Sequence, residues 1–516
     1  MSETTQQYAP GTGWKGFPRP FWSANVLEIF ERMAWYGFYA VSSLYLTGAR
    51  EEGGLGLTSG DRGVIQAIVT FLLYLFPAVF GALADRYGFK RMFMASFAVM
   101  VPSYIALGYA KGFWSFLLVY TVVAIGHGMF KPVVIATVAK STNSKTASMG
   151  FGIFYMMVNV GGFLGPIVAG VVRGLSWDYV FYASAGWAAL NLILCALFYA
   201  EPSRAAAAEE RKTMAGVLRG MVEVVGNLRF FVTIFVSLII MVIGAKWLEP
   251  LEAVAVGFAW IGLNVLLDVI FRATVKDWKT RDRYYNPVSL VGEGRYMIFL
   301  LLMAGFWTSF NQLFITVPEF IRDYTNTDAI AASLNSFLGL FGGGIEEGDP
   351  FWFDQGKIKP EYLINLNAFG IICLQVMISW FARNIRPLQT IVSGIVVTIL
   401  SFLVFLGGAQ GWFVVVGILV FSVGEMLASP KSKEYAGMIA PPDKVGMYKG
   451  YVSWCTALGN PLGGILSGVT YERFGPTGSN NPDMLWWIYS FFAAITAIGL
   501  VIYNRVVTSH AVGQGD

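Results

Sequence analysis

The chain has 516 residues, 56% of them hydrophobic and 13% charged, with a formal net charge of +4 and a mean hydropathy of +0.58. Soluble domains carry about 25% charged residues, so this composition excludes an ordinary soluble protein and indicates a polytopic membrane protein. The small net charge gives no argument for nucleic acid, and Cys195, Cys373 and Cys455 all fall in apolar runs, so no disulfide framework is expected.

Residues 1–13 are polar and lack a basic segment followed by an apolar core, so the first span rather than a cleaved leader is expected to direct insertion. Segments of spanning length lie near 21–46, 63–84, 92–110, 113–139, 147–172 and 178–200, then near 229–247 and 252–271. Six more follow near 296–321, 360–382, 388–408, 411–438, 447–471 and 485–505, giving about fourteen helices. The predicted class is all-α: an N-terminal six-helix bundle (1–200), a linker with two additional helices (201–295) and a C-terminal six-helix bundle (296–516). A six-plus-six plan with a binding site between the halves is a common transporter architecture. Lys15 and Arg19, Arg86 to Arg91, Lys140 and Lys145, Arg204 to Lys212 and Arg272 to Arg283 fall on one side, whereas Glu51, Glu52, Glu346, Glu347 and Asp349 fall on the other. The positive-inside rule then puts the first side, with both termini, in the cytoplasm of a cell membrane. The run from Glu201 to Lys212 reads as a solvated surface helix.

In the first span Glu28, Glu31 and Arg32 are spaced i, i+3 and i+4 and share one helix face. An ionisable group in the bilayer core costs at least about 2.5–3.5 kcal/mol, so all three must face partners or a wet cavity. They form either a buried structural ion pair or a proton or substrate site. Lys131, in the fourth span, needs a carboxylate or water, and Glu28 or Glu31 can supply the former. His127 lies one turn before it on the same side. A packed neutral ring hydrogen-bonded to backbone is the preferred reading, with proton transfer as the alternative. In the fifth span Tyr155 and Asn159 share a face at i, i+4, and Gly161 and Gly162 permit close helix approach. Glu425 precedes Ser429 and Pro430, and the proline frees a backbone carbonyl where transporter helices often carry their sites.

These motifs bear a resemblance. Glu28-x-x-Glu31-Arg32-x-x-x-Tyr36-Gly37, Gly126-x-Gly128-x-x-Lys131-Pro132, Phe154-Tyr155-x-x-Val158-Asn159-x-Gly161 and Glu425-x-x-x-Ser429-Pro430 resemble the proton-coupled oligopeptide transporters, a branch of the major facilitator superfamily. Gly81 to Arg91 resembles the superfamily's signature loop, and its charges Asp85, Arg86 and Arg91 would hold the bundle ends in one gating state. The inserted helix pair resembles the extra hairpin of bacterial members. The resemblance implies proton coupling through Glu28, Glu31, Arg32 and Lys131, with no other cofactor; Glu425, matching a glutamate that binds the amino terminus, could as a buried carboxylate equally be a proton-coupling site. It implies a substrate site formed by Arg32, Tyr39, Tyr74, Lys131, Tyr155, Asn159, Trp307, Asn311, Gln312, Asn367, Glu425, Ser429 and Trp454. Asn365 is the alternative to Asn367 for a residue that helps hold the substrate's amino terminus.

The pattern breaks at one pair. Members that carry ordinary peptides usually have an arginine at the position of Tyr39 and an acid at the position of Asn311, so here a charge pair is replaced by neutral polar groups. Losing both together avoids an uncompensated buried charge. The expected function is proton-coupled symport of di- or tripeptides or related small amino compounds, with membrane lipid as the solvent. The alternative is a carrier or exporter of a non-peptide organic solute. The chain lacks a histidine-rich cluster or a nucleophile–base pair, so an intramembrane enzyme is not expected. A receptor-like protein that binds without transporting is a further option.

Overall fold

The computed structural model describes residues 16–142, 146–201, 250–275, 294–346, 348–440 and 445–512, with scattered positions from 232 to 248. In a bilayer each backbone amide must find its partner within its own segment, so apolar runs of this length fold as helices. They do so here as α1 (Arg19–Thr47), α2 (Ser59–Tyr87), α3 (Phe89–Tyr109), α4 (Phe113–Lys140), α5 (Ala147–Arg173) and α6 (Trp177–Phe198). Of the linker pair, the second is α7 (Pro250–Thr274), to which Ser237 donates through Gly257 O at 2.7 Å. The segment near 229–247 is described only at scattered positions, and the expected surface helix after Glu201 lies outside the described residues.

The second half comprises α8 (Gly294–Phe310) and α9 (Gln312–Tyr324), α10 (Asp328–Gly339), α11 (Pro360–Ile364) and α12 (Leu366–Ala382), α13 (Pro387–Val404), α14 (Gly411–Ile439), α15 (Val445–Phe474) and α16 (Asp483–Val512). Two predicted spans are therefore interrupted, one at Asn311 and one at Asn365. Both interruptions fall beside the central cavity described below. Pro430 is held within an unbroken α14; the Met426 carbonyl that loses its amide accepts from Gln375 Nε2 at 3.5 Å. Unpredicted additions are α10 and a small hairpin, β1 (Phe353–Asp354) with β2 (Lys357–Ile358), in which Phe353 faces Ile358 and Asp354 faces Lys357. Gln355 and Gly356 both have positive φ, 51° and 78°, as a two-residue type I′ turn requires.

Ten described helical segments are long and apolar enough to cross a membrane. Among the described residues, α1, α2 and α15 match them in length, at 29, 29 and 30 residues, but are more polar. Their polarity has a structural reason: α1 carries the buried charges, and α2 and α15 form the main seam between the halves.

Each half has its own core. Phe38, Phe93, Phe97, Tyr104, Phe116 and Tyr120 centre the first, and Phe402, Phe405, Phe421, Trp486 and Tyr489 the second. At the seam the backbones nearly touch. A Cβ on Gly63 would lie 2.4 Å from Gly464 O, so no larger residue fits. Within the first half, a Cβ on Gly161 would lie 2.4 Å from Ile29 O, which lets α5 press on α1 as its glycines suggest. The halves meet on the face that carries residues 47–58, 174–176, 325–346 and 348–359, called here the closed face.

Candidate functional site

The charged face of α1 turns into the first bundle and meets α4. Arg32 reaches Glu31 with two contacts of 2.5 Å, from Nε to Oε2 and from Nη2 to Oε1. Lys131 Nζ donates to Glu28 Oε1, and Arg32 Nε stands 3.5 Å from the same oxygen. Glu28 and Glu31 are fully buried. Two carboxylates and two cations thus alternate in one chain, Lys131–Glu28–Arg32–Glu31, which is how such charges become tolerable in a low-dielectric interior. Glu28 Oε2 has no partner among the described residues and is an open acceptor in the network.

His127 joins the same network. Its Nδ1 is 2.5 Å from Glu31 Oε1 and its Nε2 is 2.7 Å from the Tyr104 hydroxyl. The expectation of a backbone-bonded ring is corrected: both nitrogens are held by side chains, because α1 and α3 each present a polar group at the level of that turn.

Beside the network lies a cavity of about 240 Å³ between the halves. From α1, α2 and α5 it is lined by Tyr36, Tyr39, Tyr74, Tyr155 and Asn159. Opposite stand Trp307, Asn311, Asn367, Glu425 and Ser429. Tyr36 connects network and cavity, since Arg32 sits 5.5 Å from the centre of its ring. Glu425 Oε2 accepts from Asn367 Nδ2 at 3.0 Å, and that amide also reaches Ser422 Oγ at 3.0 Å. Asn365 lines the cavity too, but donates to Phe163 O at 2.8 Å. Tyr39 donates to Asn311 Oδ1 at 3.0 Å, and Asn311 Nδ2 to Asn460 O at 3.3 Å.

Arg32, Glu28, Glu31 and Lys131 are not in the cavity wall but in the layer behind it. Gln312 is fully buried and donates to Thr308 O and Gly463 O at 2.9 and 3.0 Å, and Trp454 packs against the second core. Neither is among the lining residues. Arg91 is exposed at the start of α3, and the side chains of Asp85 and Arg86 lie outside the described set. Lys433, eight residues beyond Glu425 on α14, lines the cavity and was not expected to.

Sequence reasoning also missed the seals of the closed face. Arg62 on α2 approaches Glu319 on α9 to 2.8 Å, and both are fully buried. Arg62 Nη1 donates to Ser467 Oγ at 2.7 Å, and Ser59 Oγ to Glu319 Oε2 at 3.1 Å. A second cluster links α5 to the hairpin and α11: Arg173 donates to Glu361 Oε1 at 2.9 Å and to Asp354 Oδ2 at 2.6 Å. Beside it Lys359 reaches Gly170 O, and burial pushes its ammonium down to about 8. Arg62 and Glu319 lie at the ends of predicted spans, and two opposite charges there without assigned partners were the available signal.

The sequence model of the Major Facilitator Superfamily matches residues 26–346 and 361–514. An uncharacterized transporter of Bacillus subtilis strain 168, YclF, is 29% identical over 202 residues, 39% of this chain and 40% of that one. The peptide transporter YePEPT of Yersinia enterocolitica is 23% identical, covering 90% of each chain. A di-/tripeptide transporter of Lactococcus lactis subsp. cremoris is 24% identical over 83% of this chain and 84% of its own. Among solved structures, the peptide transporter POT in complex with sulfate superposes with a TM-score of 0.67 at 21% identity, over 98% of this chain and 99% of that one. A POT family transporter in complex with 5-aminolevulinic acid gives 0.67 at 18% identity, over 96% and 99%. These structural likenesses establish the fold.

Proposed function

The chain belongs to the Major Facilitator Superfamily, and from that premise we propose that it is a proton-coupled symporter of di- and tripeptides or related small amino compounds in the peptide-transporter branch. The observation that carries the reading is the alternating chain Lys131–Glu28–Arg32–Glu31, set directly behind a cavity that has Glu425 on its far wall.

The proposed cycle follows from that geometry. The bundles 1–200 and 296–516 rock about the central site, with 201–295 as a tether. The closed face is taken as external and both termini as cytoplasmic in a cell membrane, on the distribution of basic residues. Breaking the Arg62–Glu319 and Arg173–Glu361 contacts opens the external side. A proton then enters the network at Glu28 or Glu31, and a neutralised carboxylate releases its cation. Freed from part of its pairing, Arg32 acts on the cavity through Tyr36, and Lys131 becomes available to the cargo's anionic end. Glu425, positioned by Asn367, receives the amino group. Tyr155 and Asn159 supply hydrogen bonds to the cargo backbone. Cargo and proton together favour the bundle arrangement sealed on the outside, which is the arrangement described here, and both leave to the cytoplasm.

One observation favours the second reading, a carrier of a non-peptide organic solute. Tyr39 and Asn311 satisfy each other as a neutral pair and leave no guanidinium at that part of the cavity. A POT family neighbour is in complex with 5-aminolevulinic acid, which supports keeping small amino compounds beside peptides in the first reading. Uptake of labelled dipeptide into liposomes under an imposed inward proton gradient tests the first reading. Gradient-dependent accumulation supports it. Absence of uptake of dipeptides and of small amino compounds, with transport of an organic solute that carries no amino group, favours the second.

A further inference from the structure

We propose that His127 is an additional proton-holding residue of the network, with Tyr104 as the partner that lets its ring change charge in place. The argument is a count of hydrogen bonds. Nδ1 faces Glu31 Oε1 at 2.5 Å, and an ionised carboxylate can only accept, so Nδ1 carries its hydrogen in both charge states. Nε2 faces the Tyr104 hydroxyl at 2.7 Å. A hydroxyl both donates and accepts, and turns about its C–O bond to do either. When the ring is neutral, Tyr104 donates to Nε2. When a proton is added at Nε2, the ring donates to the Tyr104 oxygen. Each ring nitrogen keeps a partner in either state. A histidine serving only as packing needs one fixed tautomer and no reversible partner.

The surroundings give the added proton a consequence. Glu31 and Arg32 face the ring from α1, Tyr104 from α3, and Lys131 lies one turn on along α4. From α2 the neighbour of this turn is Phe76, packed on Gly128, and from α5 it is Phe154, beside Lys131. Trp35 covers the ring edge-on at 4.8 Å between centres. Two carboxylates balance two cations while the ring is neutral, so a proton on His127 leaves the cluster with one net positive charge. It also tightens His127 on the Glu31 oxygen that Arg32 Nη2 shares. Arg32 is the group that loses, and Arg32 is the one that touches the cavity through Tyr36.

The inference rests on the proton-driven reading only for its use in transport, and a direct titration separates the two. The sequence has two histidines, so His510→Gln leaves His127 as the single imidazole. In that full-length variant, selectively 15N-labelled at histidine, the ring nitrogen shifts are followed with pH. They are expected to move through one charge change within the pH range over which the protein stays folded. Tyr104→Phe, which removes the reversible partner, is expected to displace that midpoint by at least about half a pH unit. Shifts that stay constant over this range, or a midpoint unaffected by Tyr104→Phe, overturn the proposal and leave the transport reading untouched. Conversely, titration of His127 in a protein with no gradient-driven uptake retains the residue's role and removes the transport reading.

Discussion

Tyr39 and Asn311, 272 residues apart in the chain, are joined by a 3.0 Å hydrogen bond that crosses from one half of the protein to the other. It is a neutral link in the wall of the central cavity. A guanidinium at that point would grip a carboxylate through two charge-assisted bonds, whereas a phenol offers one neutral donor.

The first prediction is that cargo recognition depends more on the amino group than on the carboxylate. Glu425 and Asn367 stay in place for an amine, while Lys131 and Arg32 lie behind the wall. In competition at fixed pH, C-terminal amidation of a dipeptide should weaken binding by less than tenfold, and N-acetylation by more. Abolition of binding by amidation, with acetylation tolerated, would reverse the assigned polarity of the site.

Lys131→Ala should impair both binding and transport. Without the amine the fully buried Glu28 keeps only Arg32, at 3.5 Å, as a cation partner, so it holds a proton more tightly and the coupling network loses one of its two cations. Transport should fall at least tenfold at every pH from 5 to 8. Wild-type transport across that range would remove Lys131 from the mechanism.

Glu319→Gln should loosen the closed face. Arg62 is then left charged and fully buried, a penalty of about 3–5 kcal/mol against this conformation. A membrane-impermeant thiol reagent added from that face should label Thr70→Cys in the cavity wall faster in this background than in the otherwise wild-type chain. Equal labelling would show that the pair does not seal the face.

Lys359 gives a pH dependence. Burial lowers its value to about 8, below the ordinary lysine value of 10.5, so the closed face prefers the neutral amine. A conformation with that face open exposes the lysine and binds more protons between those two values. Stability of the closed face relative to the open one therefore rises as pH increases from about 8 toward 10.5, and is independent of this group below about 8. Thiol labelling of the cavity should slow over that window, and the dependence should vanish in Lys359→Met. The same slope in both would assign it to another group.

The buried charges of α1 and Lys131 were legible because a bilayer makes such residues too costly to be incidental, and their helical spacing alone puts them on one face. The glycine-mediated contact of α5 with α1 was legible for a similar reason, since few residues allow that approach. Arg62 and Glu319 were not paired in advance: 257 residues separate them, and nothing local in either segment names the other. Tyr104 gave no signal, because a tyrosine in an apolar helix is equally at home as core, so its contact with His127, for which proton transfer stood as the alternative reading, was not legible. Gln312 and Trp454 matched expected motif positions, yet packing within the second half turns them away from the wall. The short hairpin and α10 fall where hydropathy carries no periodic pattern long enough to read.

The most direct test of the account compares proton-driven accumulation with exchange in Glu31→Gln. The wild-type protein in liposomes should concentrate labelled dipeptide above its external level under an inward proton gradient. Glu31→Gln removes a carboxylate that Arg32 and His127 share, while leaving the cavity wall intact. It should abolish accumulation and preserve counterflow of cargo. Undiminished accumulation against a gradient in this variant would contradict the claim that the α1 network couples proton to cargo.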